Sequence, residues 1–159
     1  MELNIRPMRA AEFEVYRRRR IDEYAAAQVK AGNWKPEEAQ ELAAQASQRS
    51  LPTSLKTGAA LFFVGERTDG TVVGFVWLAL EHEEPGGAWL NSIEVLPEHR
   101  GRGYGRAMLA AAEQELRRRG IAQVGLSVFG SNEAGRQLYE TSGYETVAIR
   151  MRKVLGPAR

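Results

Sequence analysis

Residues 95–106 combine glycine and arginine at a spacing that suits a phosphate-bearing ligand. The residues in question are Arg100, Gly101, Arg102, Gly103, Gly105 and Arg106. An apolar, strand-like run and Pro97 precede this loop, and a helical pattern begins near Tyr104. Glycine lets backbone N–H groups approach an anion, a first helical turn presents unpaired N–H groups, and arginine adds charge and forked donors. These residues predict a loop that holds a pyrophosphate group.

Other glycine-rich motifs do not fit this loop. A dinucleotide-binding fingerprint, G-x-G-x-x-G, would need glycine where Arg106 stands, and a P-loop would need Gly-Lys-Ser/Thr at its end. An Arg-Gly RNA-binding segment should lie in low-complexity sequence, whereas this loop joins two patterned elements. A plain connection between a strand and a helix remains the alternative.

The apolar pattern around the loop predicts the elements that hold it. The predicted order is a strand at 3–8, helices at 10–31 and 36–49, strands at 61–66, 71–81 and 88–96, a helix at 104–120, a strand at 124–129, a helix at 132–143 and a strand at 144–154. Asp69-Gly70 predicts a hairpin turn, and Ser131 or Asn132 is expected to cap the last helix. The run Arg17–Arg20 points all round its helix, so we expect it to be mostly solvated. The order predicts a mixed α/β (α+β) fold in which helices cover one central sheet.

Composition and charge narrow the class of protein. The chain has 159 residues, of which 43% are hydrophobic and 26% charged, as is typical of a single globular domain spanning 1–159. The absence of cysteine excludes disulfides, cysteine metal ligands and a thiol nucleophile. A net charge of +2 does not favour a nucleic-acid partner, and no apolar run or signal-peptide pattern favours a membrane. We therefore expect a cytoplasmic protein with no metal site.

Two motifs resemble those of one enzyme superfamily. The GNAT superfamily of acyl-CoA-dependent N-acyltransferases has the signature Q/R-x-x-G-x-G/A, which the chain matches as Arg100-Gly101-Arg102-Gly103-Tyr104-Gly105. A second family signature follows at 132–144, where the chain reads Asn132-x-x-Gly135-x-x-Leu138-Tyr139-Glu140-x-x-Gly143-Tyr144. The family usually has alanine in place of Gly135. The resemblance is good over 61–152 and extends to residues 1–60 only in coarse layout.

The resemblance implies a fold and a co-substrate. The implied fold is GNAT-like: a central mixed, mostly antiparallel sheet of six to seven strands, with strands 4 and 5 splayed apart, flanked by four helices. The implied co-substrate is acetyl-CoA, whose pantetheine arm enters the gap and pairs with the main chain of 93–95 as an added strand would. Asn132 would bind the pantetheine or an ordered water in addition to capping its helix. The implied cofactor-binding residues are Ile93, Val95, Arg100, Gly101, Arg102, Gly103, Tyr104, Gly105, Arg106, Asn132, Gly135 and Leu138.

Two residues are candidates for moving protons. The family places the hydroxyl of Tyr139 beside the cofactor sulfur, so Tyr139 is expected to act as a general acid toward the departing thiolate. Glu94 is a candidate base because it is a carboxylate within an otherwise apolar strand, where burial would raise its pKa. Alternatively, the Glu94 side chain faces solvent or serves as a structural hydrogen-bond partner. Glu81 and His82 are second choices, and a water chain is the alternative to a single base.

The predicted reaction is transfer of an acetyl group to a primary amine by direct attack in a ternary complex, because no cysteine is available for a covalent intermediate. The acceptor, a small-molecule or peptide amine, is expected between the first two helices and the turn after strand 3. The residues expected there are Tyr24, Trp34, Glu81, Glu83, Glu84 and Trp89. The carboxylates of Glu81, Glu83 and Glu84 either bind a cationic amine or belong to a solvated turn. The alternative functions are a non-catalytic acyl-CoA-binding or regulatory module and an RNA binder. A homodimer is a possible oligomeric state.

Overall fold

The chain folds as one sheet with helices on both faces, described here from a computed structural model for residues 2–51, 58–80 and 87–157. The elements are β1 (Leu3–Pro7), α1 (Ala10–Lys30), α2 (Pro36–Ser50), β2 (Ala60–Arg67), β3 (Val72–Leu80), β4 (Gly87–Val95), a 3-10 turn (Pro97–His99), α3 (Tyr104–Arg118), β5 (Gln123–Gly125) and α4 (Glu133–Glu140). The four predicted helices and the hairpin between β2 and β3 are confirmed. In these ranges no helix has the length and apolar character needed to cross a membrane.

The strands lie in chain order from β1 to β5. The first four are antiparallel to their neighbours, whereas β5 is parallel to β4. Both faces of the central strands are covered, since Phe63 packs in one apolar cluster under α3 while Phe62 and Val64 pack in another under α1. This burial on two sides explains why β2 and β3 read as continuous apolar runs rather than as alternating patterns.

Helix α3 approaches the sheet closely where β2 and β3 carry glycine. A Cβ atom at Gly74 would lie 2.7 Å from Cε of the fully buried Met108, and at Gly65 it would lie 2.8 Å from Cγ of the same side chain. A larger residue at either position would force the Met108 side chain to shift, and at Gly74 it would also collide with the carbonyl oxygen of Glu94 on β4. The two glycines therefore let α3 pack closely on β2 and β3 at Met108.

Strands β4 and β5 separate after a short ladder, as the resemblance implies. The ladder pairs Gly87, Ala88 and Trp89 with Gln123–Gly125. Strand β4 continues to Val95, while β5 ends at Gly125. The sheet thus opens toward the glycine-rich loop.

The sheet has five strands in the part of the chain that the structure describes, and not the expected six to seven. The strand predicted at 124–129 is reduced to Gln123–Gly125, and the one predicted at 144–154 is not formed. An apolar alternating segment becomes a strand only when a neighbour completes its ladder. Residues 145–157 are all exposed and have no such neighbour among the described residues.

Candidate active site

The loop after β4 places left-handed glycines at the start of α3. Gly101 and Gly103 have φ values of +72° and +81°, a region that favours glycine. Gly103 is the N-cap of α3 and contributes no side-chain hydrogen bond to the helix. The first N–H inside the helix to find a partner is that of Ala107, which donates to the Gly103 carbonyl at 3.1 Å. The N–H groups of 104–106 therefore have no hydrogen-bond partner in the described part of the chain, and they lie at the positive end of the helix dipole, which favours an anion.

The edge of β4 beyond its ladder with β5 presents main-chain polar groups to the gap. Leu96 N–H donates to the Val73 carbonyl at 2.9 Å, and Val95 lies opposite Gly74 in the register. Hydrogen-bonded and non-bonded pairs alternate along an antiparallel ladder. The main-chain groups of Ile93 and Val95 consequently point away from β3 and into the gap.

Helix α4 brings the second motif to the start of α3. Leu138 Cδ2 lies 3.5 Å from the position that a Cβ atom would take at Gly105. Arg106 Nη2 donates to Thr141 Oγ1 at 2.6 Å, which ties the two helices together. The predicted N-cap is confirmed: Asn132 Oδ1 accepts a hydrogen bond from the Gly135 N–H at 3.0 Å.

The three arginines of the loop have different surroundings. Arg100 turns back, donating from Nε to the Val95 carbonyl at 3.0 Å and pairing with Glu23 at 3.6 Å. Arg106 joins α3 to α4, as described above. Arg102 is exposed and has no hydrogen bond or ion pair with any other described residue. Arg102 is thus the loop arginine that is free to meet an anion.

Tyr139, on α4, is partly buried against the cluster under α3. Its ring meets that of Tyr144 edge to face, with centroids 5.7 Å apart. Burial raises the pKa of Tyr139 to about 12. The phenol is therefore protonated at neutral pH and can donate a hydrogen bond.

Glu94 points to the other face of the sheet, toward α1. Its side chain is 10% exposed, and Arg19 Nε donates to Oε1 at 3.0 Å, with Arg19 Nη2 bonded to the same oxygen. These bonds raise the pKa of Arg19. Two residues before Glu94 on β4, Ser92 Oγ lies 2.9 Å from the hydroxyl of the fully buried Tyr16.

The expectation that Arg17–Arg20 is mostly solvated is wrong for half of the run. Arg19 binds Glu94, and Arg20 has a buried Nε without a hydrogen-bond partner among the described residues. The signal for Arg19 was its position three residues after Tyr16, because residues at this spacing share a helix face and Tyr16 is a buried position. Sequence reasoning also missed Ser92, which no motif marks.

The residues expected around the acceptor fall into two groups. Tyr24 and Trp34 meet edge to face at 5.4 Å and pack between α1 and α2, whereas Trp89 lies at the junction of β4 and β5, where a Cβ atom at Gly125 would be 2.7 Å from its ring. Glu81, His82, Glu83 and Glu84 lie outside the described residues. Within the described ranges no group of three His, Asp or Glu side chains is placed to hold a metal ion.

Comparison with known proteins places this geometry in a family. The model of the acetyltransferase (GNAT) family matches residues 15–144. YycN of Bacillus subtilis, an uncharacterized N-acetyltransferase, is 34% identical over 156 residues, which cover 98% of this chain and all of YycN. The mycothiol acetyltransferase of Thermobispora bispora is 39% identical over 98 residues, covering 58% of this chain and 33% of that enzyme.

Solved structures show the same fold. The crystal structure of YycN superposes with a TM-score of 0.91 at 33% identity, covering 98% of this chain and 100% of YycN. The PaiA N-acetyltransferase of Thermoplasma acidophilum, solved in complex with coenzyme A, gives a TM-score of 0.70 at 21% identity over 91% of each chain. The family match spans most of the chain and YycN matches it from end to end, so this chain belongs to the GNAT family of acetyltransferases.

Proposed function

We propose that this chain is an N-acetyltransferase that passes the acetyl group of acetyl-CoA to a primary amine, which attacks directly in a ternary complex. One observation carries the proposal. The register turns the main-chain groups of Ile93 and the N–H of Val95 toward the side of β4 that β5 leaves unpaired, next to the N–H groups at the start of α3, while the Val95 carbonyl already accepts a hydrogen bond from Arg100 Nε. An extended arm with amide groups and a pyrophosphate at its end matches this arrangement.

The residues present fit acetyl-CoA. The N–H groups of 104–106, with Arg102 beside them, would hold the pyrophosphate, while Ile93 and Val95 would pair with the amides of the pantetheine arm. Asn132 uses Oδ1 for its cap, which leaves Nδ2 to donate to the same arm. Acetyl-CoA supplies, when bound, the thioester carbonyl that the amine attacks. The coenzyme A complex of PaiA, which has the same fold, supports this assignment.

Tyr139 is proposed as the donor to the leaving sulfur. An ordinary thiol has a pKa of about 8.5, whereas that of the Tyr139 phenol is about 12. Early and complete proton transfer to a thiolate is therefore unfavourable. We propose that the Tyr139 hydroxyl keeps its proton and stabilises the departing thiolate by donating a hydrogen bond, and that the thiolate takes its proton from water.

Glu94 is proposed as the proton acceptor for the attacking amine, with Arg19 as the residue that orients it. Both hydrogen bonds from Arg19 go to Oε1, so Oε2 has no partner among the described residues. A carboxylate held by one oxygen can accept a proton on the other, directly or through water. The acceptor itself is proposed to be a small-molecule or peptide amine that enters beside Tyr24, Trp34 and Trp89.

The test combines binding with turnover. Acetyl-CoA should raise the melting temperature, and one class of amines in a panel should release free CoA thiol. Glu94→Gln should then lower kcat without weakening acetyl-CoA binding, whereas Glu98→Gln, an exposed carboxylate four residues on, should leave both unchanged. Stabilisation without thiol release on any amine would favour the non-catalytic alternative. No stabilisation would contradict the proposal.

A further inference from the structure

The last described segment is an exposed arm with the pattern of a strand. Every residue of 145–157, called the arm below, is exposed. Five large apolar side chains of the arm are 78–96% exposed: Val147, Ile149, Met151, Val154 and Leu155. The first three alternate, so an extended chain places them on one face. In the rest of the described chain Val15, at 52%, is the one large apolar side chain that is exposed. Such a concentration marks an interaction surface.

The arm has a defined course that keeps it off its own sheet. At its root, the Tyr144 hydroxyl donates to Glu113 Oε1 on α3 at 3.1 Å. Further along, Arg152 Nη2 donates to the Ala31 carbonyl at 3.0 Å, and Nη1 binds Asn33 Oδ1, both just after α1. These contacts lie on elements from opposite faces of the sheet. The arm between them runs across the outside of the molecule with no ladder to β5.

The sheet has a vacant edge that matches the arm. Within the described residues, strand β5 is the last strand of the sheet and pairs on one side only, with β4. Val124 lies in this edge strand and Leu126 directly after it, and each is only partly buried against the cluster under α3. An edge of this kind normally carries charges or a cover. The arm carries an apolar face that would cover the β5 edge, but within its own molecule the arm does not lie beside β5.

We propose that two copies of this chain exchange arms, so that each arm adds as a strand to the β5 edge of the other copy. Each chain carries both an arm and an uncovered β5 edge, so in a pair of chains each arm can cover the edge of the other chain. The two contacts are then related by a twofold axis, which closes the dimer. The contacts of Tyr144 and Arg152 hold the arm away from its own β5. The match to the YycN crystal structure leaves out only 2% of this chain, which is less than the arm, so the likeness extends into it.

The first test is the mass in solution, which is independent of acetyl transfer. The chain has a mass of 17.7 kDa, so light scattering after gel filtration should give twice this mass. Ile149→Asp should raise the dissociation constant at least about 100-fold and give the monomer, because it buries a charge in the paired face. Val15→Asp, the matched change on α1, should leave the dimer intact. A monomeric wild-type chain, or a dimer that survives Ile149→Asp, would overturn the proposal.

The second test locates the arm and does not depend on that substitution. The chain has no cysteine, so single cysteines can be introduced in pairs. Chains carrying Leu126→Cys and chains carrying Ile149→Cys, mixed and oxidised, should form a covalent heterodimer faster than a mixture of Val15→Cys and Ile149→Cys. A chain with both Leu126→Cys and Ile149→Cys should give linked dimers. A cyclised monomer would show that the arm pairs with its own β5, and preferential linkage of Ile149→Cys to itself would show that two arms pair with each other; either result overturns the proposal.

Discussion

Gly103→Asp is the substitution that most sharply tests whether the start of α3 binds an anion. Gly103 is the N-cap of α3 at φ +81° and has no side chain, so a ligand can reach the N–H groups of 104–106. An aspartate there would bring a carboxylate close to these same groups, where it would repel an incoming anion and compete with it. The substitution therefore replaces the ligand's anion with one of the protein's own.

The size of the effect follows from the bonds that are lost. A hydrogen bond to a charged acceptor contributes about 1.5–3 kcal/mol, so the loss of two costs about 3–6 kcal/mol and weakens binding at least about 100-fold. Stability should change little. An aspartate N-cap stabilises a helix by about 1 kcal/mol, and the left-handed backbone costs a non-glycine residue about 1–2 kcal/mol.

Isothermal titration with CoA measures this loss, and Gly120→Asp provides the control. Gly120 lies at the other end of α3, has a φ of +76°, and has no atom within 4 Å of its Cβ position. Both variants thus gain the same charge and the same backbone strain. We expect Gly120→Asp to bind CoA like the wild type. A Gly103→Asp variant that stays folded and binds within threefold of the wild type would refute the reasoning.

Three further predictions concern other parts of the chain. Tyr139→Phe should lower kcat by about 10²–10⁴-fold with the KM for acetyl-CoA unchanged, and equal turnover would remove Tyr139 from the mechanism. Hydrogen bonds from Arg6 lower the pKa of Glu12 from 4.5 to about 2, so this pair stabilises the fold above pH 4.5 and loses that effect as the pH falls toward 2. Glu12→Gln should therefore destabilise by about 1 kcal/mol at pH 7 and less at pH 3 in urea unfolding; an equal loss at both would contradict this. Gly135→Ala would place a Cβ 2.6 Å from Asn132 Nδ2 and displace the cap. The lost cap and the gained helix propensity are each worth about 1 kcal/mol, so Tm should move by less than about 4 °C, and a larger fall would contradict this balance.

The predictable parts of the site are those that depend on residues close to one another in sequence. The Asn132 cap, the glycine-rich loop and the start of α3 depend on residues within a few positions of one another, and a short motif describes them. The hairpin at Asp69-Gly70 is local in the same way. The positions of these elements could therefore be stated before the structure was known.

What could not be predicted depends on residues that are distant in sequence. The contact between Arg19 and Glu94 joins positions 75 apart, and only the crossing of α1 over β4 brings them together. The run that contains Arg19 looks solvated because four consecutive helical residues point in all directions, and the sequence does not say which direction is buried. The strand expected at 144–154 failed for a related reason: its alternation is present, but alternation does not name the edge with which it pairs.

The measurement that tests the proposed function most directly follows the acetyl group itself. Acetyl-CoA labelled with ¹³C in the acetyl group is incubated with the protein and a mixture of amines, and the label is located by NMR. The proposed function predicts label in the amide of one class of amine, with no label transferred by Gly103→Asp. Label that stays on acetyl-CoA, or that appears only as free acetate, would contradict acetyl transfer to an amine.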